Sequence, residues 1–259
     1  MRSNPGVRMV AVVENDVIQV KRSQGSGAWG RTFARLYDPF LWVGERAGLR
    51  GHRQELLSRA RGCTLEIGSG TGLNLAHYPE DLDELVLIEP DPAMRSHLEK
   101  RLSRRGRRAR LVDAPAERLP FADASFDTVV STFVLCTVDA PHVALREIAR
   151  VLRPGGQLLF LEHVRSESPT LARWQDRLAG PWRRFAQGCR CNRATAQLIS
   201  ACGLRLEYVR EASWPAMPPI VRPLIAGRAQ KMEPATARTG RVVMNQPGPA
   251  TTRDRFTDG

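Results

Sequence analysis

Apolar and polar positions alternate along the middle of the chain in blocks that switch between two periods. Short apolar runs, which are typical of buried strands, occupy residues 64–68, 85–89, 109–114, 126–134 and 157–164. Segments with helical spacing of apolar positions separate them, over residues 72–78, 92–105 and 140–152. Strands that alternate with helices form right-handed βαβ units. We therefore predict a doubly wound α/β fold with a mainly parallel sheet.

The segments before and after this block also have apolar residues at helix or strand spacing. Amphipathic spacing predicts two helices within residues 31–59, separated where Pro39 and Gly44 interrupt the pattern. A further helical segment, with an apolar stripe of its own, is predicted within residues 167–200. Two closing strands are predicted at residues 204–212 and 223–231.

The same pattern predicts the domain organisation. One domain is expected over residues 31–231, with 31–59 as a helical cap and 167–200 as a helical insertion. Residues 1–30 are expected to be an N-terminal extension, and residues 232–259, which lack periodicity, a disordered tail. No run of 18 apolar residues and no secretory leader pattern occur. We therefore expect a cytoplasmic protein without a transmembrane segment.

The charge and the cysteine content limit the binding partners, disulfides and metal sites that the sequence can be expected to have. The formal net charge is +12, and six arginines cluster between residues 101 and 110. Such a surface can attract nucleic acid or an anionic membrane. No nucleic-acid module accompanies the cluster, so we expect no nucleic-acid partner, while peripheral membrane contact stays open. The five cysteines make an odd set, and the pair Cys189 and Cys191 lacks the further ligands of a zinc site, so neither disulfides nor a metal are expected.

The candidate chemistry begins at a glycine-rich turn after the first predicted strand. The turn reads Glu66-Ile67-Gly68-Ser69-Gly70-Thr71-Gly72, so its backbone can lie against a ligand without interference from Cβ atoms. The third glycine of a dinucleotide-binding loop would fall at position 73, which is Leu73. No Lys-Ser/Thr pair follows, which excludes a P-loop. The turn therefore favours a nucleotide-like ligand of another kind.

A second candidate is Glu89, at the end of the second predicted strand. A carboxylate at this place can accept hydrogen bonds from both hydroxyls of a ribose. An ordinary surface acid is the alternative. Because ligands of open α/β sheets bind at the carboxyl ends of the strands, the position favours ribose binding.

Five motifs occur in an order that is typical of one family. They are LEIGSGTG (65–72), LIEPD (87–91), AERLPFADASFD (116–127), TFVLCTV (132–138) and LREIARVLRPGGQLLFLEHV (145–164). With them the sequence resembles the class I S-adenosylmethionine-dependent methyltransferases, in their type 11 branch. The resemblance implies an enzyme with a Rossmann-like sheet of seven strands, the last antiparallel, and S-adenosyl-L-methionine as its cofactor.

The resemblance also assigns candidate cofactor contacts. It implies that the glycine turn holds the amino-acid end of the cofactor, that Glu89 binds the ribose, and that Ala116 and Glu117 lie beside the adenine. The full set of cofactor-binding candidates is Glu66, Gly68, Ser69, Gly70, Gly72, Asn74, Glu89, Pro90, Ala116, Glu117 and Phe133.

The downstream half resembles a narrower group, the thiol (alkyl) methyltransferases of the methyltransferase-like proteins. VLCTVD, FLEHV, GCRCNRAT and the closing PxxPxVRPLIAGRAQK stretch carry this resemblance. It implies a small-molecule acceptor, with S-methylation of a thiol favoured. The second cysteine in Gly188-Cys189-Arg190-Cys191-Asn192 departs from that group's single-cysteine pattern.

Three alternatives to thiol methylation stay open. The first is N-, O- or C-methylation of a lipid headgroup, a quinone or another metabolite. The second is a cofactor-binding module without catalysis. The third is a nucleotide-dependent oxidoreductase on the same sheet, against which Leu73 argues.

A thiol acceptor benefits from deprotonation, because the thiolate is the nucleophile. His163, at the end of the fifth predicted strand, is the candidate general base. A histidine hydrogen-bonded to the backbone is an equally weighted alternative. Cys136 and Cys191 are expected to line the pocket and not to act as nucleophiles, since direct transfer needs no covalent intermediate.

Overall fold

The structure is a computed structural model that describes residues 28–232. The predicted N-terminal extension and disordered tail fall almost entirely on residues 1–27 and 233–259, outside the described part. Among the described helices, none is both long and apolar enough to cross a bilayer.

Seven strands of the described chain form one sheet, in the order β3-β2-β1-β4-β5-β7-β6. They are β1 (Cys63–Ile67), β2 (Glu84–Ile88), β3 (Arg110–Val112), β4 (Phe126–Thr132), β5 (Leu152–His163), β6 (Leu204–Ser213) and β7 (Pro223–Lys231). Strands β1 to β5 pair in parallel, whereas β7 runs antiparallel to both β5 and β6. The predicted doubly wound α/β fold, with its antiparallel last strand, is confirmed.

The helices cover both faces of this sheet. They are α1 (Ala28–Gly44), α2 (Arg50–Leu57), α3 (Pro92–Arg105), α4 (Pro141–Val151), α5 (Pro169–Phe185) and α6 (Thr195–Ala201). Apolar side chains of α4 and α6 pack on one face, and those of α1, α2 and α3 pack on the other. The central strands are buried on both faces, as the neighbouring pairs Val129–Val130 in β4 and Leu158–Leu159 in β5 show.

Local sequence signals explain where several helices begin. Proline occupies the first turn of α3, α4 and α5, where its missing N–H costs no hydrogen bond. Asp91 caps α3 because its carboxylate accepts from the backbone N–H groups of Ala93 and Met94. Gly106 ends α3 in the left-handed conformation, at φ 62°. The cap fixes the start of α3 next to Glu89.

Two N-terminal helices are present, as predicted, and of the two residues expected to interrupt the pattern only Gly44 marks a helix end. Helix α1 continues through Pro39 and ends at Gly44. A π-helical turn, Glu45–Leu49, joins it to α2, and Gly48 within this turn has φ 126°. Glycine alone adopts such a backbone readily, so Gly48 is where the helix axis changes.

Other element boundaries also differ from prediction. The helix expected at 72–78 is one 3-10 turn, Leu73–Ala76, because left-handed Gly72 precedes it and Pro79 follows closely. Strand β3 is shorter than expected, and β5 begins at Leu152, which pairs with Phe126 before a register shift. The helical insertion is two helices, α5 and α6, with non-helical chain between them.

Candidate active site

The glycine turn lies between β1 and the 3-10 turn, at the carboxyl edge of the sheet. Gly68, Gly70 and Gly72 all have positive φ, at 56°, 56° and 83°. A Cβ on Gly68 would come within 2.6 Å of Val134, and one on Gly72 within 2.7 Å of Leu98. A Cβ on Gly70 would meet only the turn's own backbone, at 4.0 Å. Packing thus requires glycine at two positions, while Gly70 keeps the turn open towards a ligand.

Glu89 joins this turn to the start of α3. Its side chain is 6% exposed, one carboxylate oxygen accepts from the Gly70 N–H at 2.7 Å, and the other accepts from the Asp91 N–H at 2.9 Å. Burial raises the pKa of Glu89 to about 7. Each carboxylate oxygen has a further lone pair, so the group can still accept from a diol. The structure therefore brings Glu89 and the turn together, as the sequence predicted.

Glu66 lies behind the turn and not on its open side. It is 1% exposed, and its carboxylate accepts from the Asn74 side-chain amide at 2.7 Å and from the Tyr78 hydroxyl at 2.9 Å. Burial raises the pKa of Glu66 to about 7. Asn74 also donates to the Thr132 hydroxyl at 2.9 Å. These two predicted cofactor residues therefore belong to one buried network: Glu66 supports the turn from behind, and Asn74 also lines the cavity.

Arg53 completes that network, and sequence reasoning missed it. It is 3% exposed on α2, pairs with Glu45 at 2.9 Å, and donates to the Asn74 side-chain oxygen at 2.6 Å. Its guanidinium and Tyr37 line a cavity together with the glycine turn and Thr132. A signal was present, since Arg53 stands on the buried face of α2 with Leu49 and Leu56, where an apolar residue is expected.

Helix α1 is tied to the turn by one carboxylate, a second feature that the sequence did not indicate. The Asp38 carboxylate accepts from the Thr71 hydroxyl at 2.6 Å and pairs with Arg101 of α3. Tyr37, the neighbouring residue, has its pKa raised by burial. The contact holds α1 across the edge of the cavity.

The loop after β4 is fixed by Glu162, a fully buried residue of β5. Its carboxylate accepts from the Ser131 hydroxyl at 2.7 Å and from the N–H groups of Val134, Leu135 and Cys136 at 3.1, 3.0 and 3.1 Å. Burial nevertheless raises the pKa of Glu162. Three successive amides aimed at one carboxylate determine the path of this loop.

Phe133 lies at the start of that loop in the left-handed conformation, with φ 60°. This backbone is strained for a residue with a bulky side chain, and such strain clusters at functional sites. The ring stacks on Trp214 at 5.6 Å and lies 4.7 Å from the ring of His163. The Arg53 guanidinium lies over it at 5.4 Å. Phe133 therefore joins the network around Arg53 to the region of His163.

His163 is buried in this aromatic cluster. Burial lowers its pKa to about 4, so the ring is neutral at pH 7. The ring hydrogen-bonds to the backbone of Val221, while its Nδ1 atom has no hydrogen-bond partner within the described chain. Nδ1 of a neutral ring that donates through its other nitrogen is an acceptor. The geometry leaves a free acceptor there, but the lowered pKa makes it a weak base.

The remaining candidates lie at the same edge of the sheet with fewer contacts to the turn. Pro90 is exposed beside Glu89, Glu117 is half-buried, and Ala116 packs in the core cluster of α4. Cys136 and Cys191 are both fully buried, so they do not line an open pocket. Their burial raises both thiol pKa values, which agrees with their not being nucleophiles.

These side chains fit a sulfonium cofactor with an amino-acid end and a ribose. Gly70 and Arg53 line one cavity, and the buried carboxylate of Glu89 accepts from the N–H of Gly70. A guanidinium suits a carboxylate, and a carboxylate suits a diol.

Comparisons with known proteins agree with this geometry. A family model described as "Methyltransferase domain" matches residues 65–160. Thiol S-methyltransferase TMT1B of Homo sapiens is 34% identical over an alignment of 185 residues, and the match covers 65% of this chain and 75% of that protein. A ubiquinone/menaquinone biosynthesis C-methyltransferase, UbiE of a Marinomonas species, is 33% identical over 123 residues, covering 46% of this chain and 49% of that protein.

The fold is also found in solved structures. A methyltransferase of Thermotoga maritima, described as S-adenosylmethionine-dependent and a possible histamine N-methyltransferase, superposes with a TM-score of 0.60 at 24% identity. The match covers 78% of this chain and 98% of that one. With the fold, the glycine turn and the relatives in agreement, the chain belongs to the class I S-adenosylmethionine-dependent methyltransferases.

Proposed function

We propose that this enzyme methylates the sulfur of a small-molecule thiol. The observation that carries the proposal is the resemblance to a thiol S-methyltransferase over 185 residues, well beyond the matched methyltransferase domain. By contrast, the match to the quinone C-methyltransferase spans 123 residues. When bound, S-adenosylmethionine would supply a methyl group on a positively charged sulfur; the thiol would give up its proton to solvent, and the new S–C bond would form as the old one breaks, leaving a methyl thioether and S-adenosylhomocysteine.

The residues around the glycine turn would hold the cofactor. Gly70 offers backbone that a ligand can approach closely, while Gly68 and Gly72 fix the shape of the turn. Ser69 lines the same cavity, and Glu89 would accept from the ribose hydroxyls. We add Arg53 as the partner of the amino-acid carboxylate, since its guanidinium lines the cavity. Glu66 and Asn74 would act from behind, by holding Arg53 and the turn in place.

The acceptor would be positioned near the aromatic cluster of Phe133, His163 and Trp214. Tight alignment of acceptor and methyl group is the main catalytic demand, because the sulfonium methyl is already electrophilic. A base with a pKa of about 4 is poorly matched to a thiol of pKa about 8.5. The role of His163 as general base stays a prediction, and its Nδ1 is better suited to accept a hydrogen bond from the thiol.

A panel of acceptors tests the proposal. The enzyme is incubated with S-adenosylmethionine and, separately, an alkyl thiol, the alcohol of the same skeleton, a primary amine and a reduced quinone, and S-adenosylhomocysteine is quantified. We expect the thiol to give the fastest formation, and Glu89→Ala to lower it. Faster turnover with the quinol would favour C-methylation instead, and turnover with none of the acceptors would favour a binding module.

A cytoplasmic location forms part of the proposal. Its support is that all five cysteines are free thiols, as is usual in a reducing compartment.

A further inference from the structure

Exposed apolar side chains are concentrated on two helices. Of those on α1, Trp42 is 58% exposed and Leu36 54%, with Val43, Trp29 and Phe40 all above 40%. A soluble surface rarely shows so many large apolar groups in one place. On α1, Trp29, Leu36, Phe40 and Val43 recur at helical spacing and share one face, whereas Trp42 lies on another part of the exposed surface.

Helix α5 extends this surface. Trp174, Leu178 and Phe185 are exposed along it. The Phe185 ring lies 5.9 Å from that of Trp29 and 6.2 Å from that of Phe40, and Trp29 Nε1 donates to the Phe185 carbonyl at 3.3 Å. The exposed groups that share this surface are here called the aromatic face: Trp29, Leu36, Phe40 and Val43 of α1, and Trp174, Leu178 and Phe185 of α5. The ring contacts of Phe185 join its two halves.

Arginines surround the aromatic face without acidic neighbours. Arg35, Arg46, Arg173, Arg177 and Arg184 are exposed on or next to the two helices, and no carboxylate of residues 28–232 lies within ion-pair distance of them.

Two of these arginines are close to the exposed rings. Arg46 lies 4.9 Å from the centroid of the Trp42 ring, and Arg177 lies 5.7 Å from that of Trp174. The aspartates of the same two helices form ion pairs with other arginines: Asp38 pairs with Arg101, and Asp176 pairs with Arg165. The face is therefore both apolar and positively charged.

We propose that the aromatic face binds to an anionic lipid bilayer. Tryptophan and phenylalanine side chains settle at the boundary of headgroups and acyl chains, and arginines beside them meet lipid phosphates. A second copy docked face to face would oppose like charges. A nucleic-acid strand needs a groove with rings on which bases stack, whereas Leu36, Val43 and Leu178 offer no ring.

Vesicle co-sedimentation of the full chain tests the proposal. We expect binding to vesicles of phosphatidylcholine with about a third phosphatidylserine, and much weaker binding to phosphatidylcholine alone. The double variant Arg35→Gln/Arg177→Gln should bind about 30-fold more weakly, since each basic side chain near the surface contributes about fivefold. Trp29→Ser/Trp174→Ser should also weaken binding, by at least about tenfold.

Matched controls distinguish binding through the aromatic face from attraction that depends only on the total charge of the protein. Arg104→Gln/Arg105→Gln removes the same charge from exposed positions of α3, and Val209→Ser removes an exposed apolar group from β6. Both controls should bind as the unchanged protein does. Equal loss in the α3 variant would overturn the proposal in favour of diffuse attraction. Failure to bind the anionic vesicles would overturn it outright, as would a dimer that only the tryptophan variant dissociates, or preferential binding to single-stranded RNA.

Discussion

Among single residues, two buried glutamates beside the glycine turn have the pKa values that matter most for its pH dependence. Glu89 faces the open side of the glycine turn, whereas Glu66 lies behind it, and burial raises the pKa of each to about 7. Both groups therefore change charge close to neutral pH. Their different positions predict different consequences for binding and for stability.

The first prediction concerns Glu89→Ala. Loss of charge-assisted hydrogen bonds to the ribose should weaken S-adenosylhomocysteine binding by roughly 1.5–3 kcal/mol, or about 10- to 150-fold, in titration calorimetry. Affinity of the unchanged enzyme should also fall as the pH drops through about 7, because the protonated acid accepts less well. The control is Glu80→Ala, whose side chain is 93% exposed. An unchanged affinity in Glu89→Ala would make Glu89 a structural acid only.

The second prediction concerns Glu66→Gln. A carboxyl group whose pKa is raised on folding stabilises the fold below its unfolded pKa of about 4.3, and this contribution is lost as the pH rises through about 7. Glutamine resembles the protonated acid and does not titrate. The melting temperature of Glu66→Gln relative to the unchanged enzyme should therefore rise between pH 5 and pH 8. A constant difference would show that Glu66 stays ionised throughout.

At the scale of elements, the loop after β4 depends on a carboxylate that is distant in sequence. Glu162 accepts four hydrogen bonds from that loop and from Ser131. Phe133 keeps its left-handed backbone at the start of the same loop, in contact with His163 and Trp214. The path of this loop, beside which we propose that the acceptor binds, thus depends on β5.

The third prediction is that Glu162→Gln weakens binding of the acceptor thiol more than binding of the cofactor. Its side-chain amide must face a backbone N–H, which costs about 1–3 kcal/mol. The melting temperature should fall, and the KM for the thiol should rise several-fold while the Kd for S-adenosylhomocysteine changes less than twofold. Ser131→Ala, which keeps the carboxylate and removes one donor, should show a smaller change in KM. Equal changes in KM and Kd would argue for a general loss of structure.

Sequence patterns predicted those features that are determined by residues close together along the chain. The strand and helix order, the glycine turn and the position of Glu89 all follow from local period and turn chemistry. Arg53 and Glu162 were missed, because their partners Asn74 and Leu135 are brought close only by the folded sheet. The change of helix axis at Gly48 was missed for another reason: Pro39 and Gly44 had already been taken as the interruptions, and only the folded chain shows the left-handed backbone of Gly48.

At the scale of the whole molecule, one helix connects two surfaces. Helix α1 lines the cofactor cavity with Tyr37, is tied to the glycine turn through Asp38, and presents Trp42 to the outside. If the aromatic face rests on a bilayer, the same helix brings the cavity edge close to apolar molecules dissolved there. An apolar thiol would then reach the site from the lipid.

The central claim is methyl transfer to sulfur, and isotope labelling tests it most directly. The enzyme is incubated with S-adenosylmethionine deuterated in its methyl group and with an alkyl thiol, and products are identified by mass spectrometry. We expect a trideuteromethyl thioether and S-adenosylhomocysteine in equal amounts, both reduced in Glu89→Ala. Protein that binds S-adenosylhomocysteine normally but forms no labelled thioether, or that places the label on carbon, nitrogen or oxygen, would contradict it.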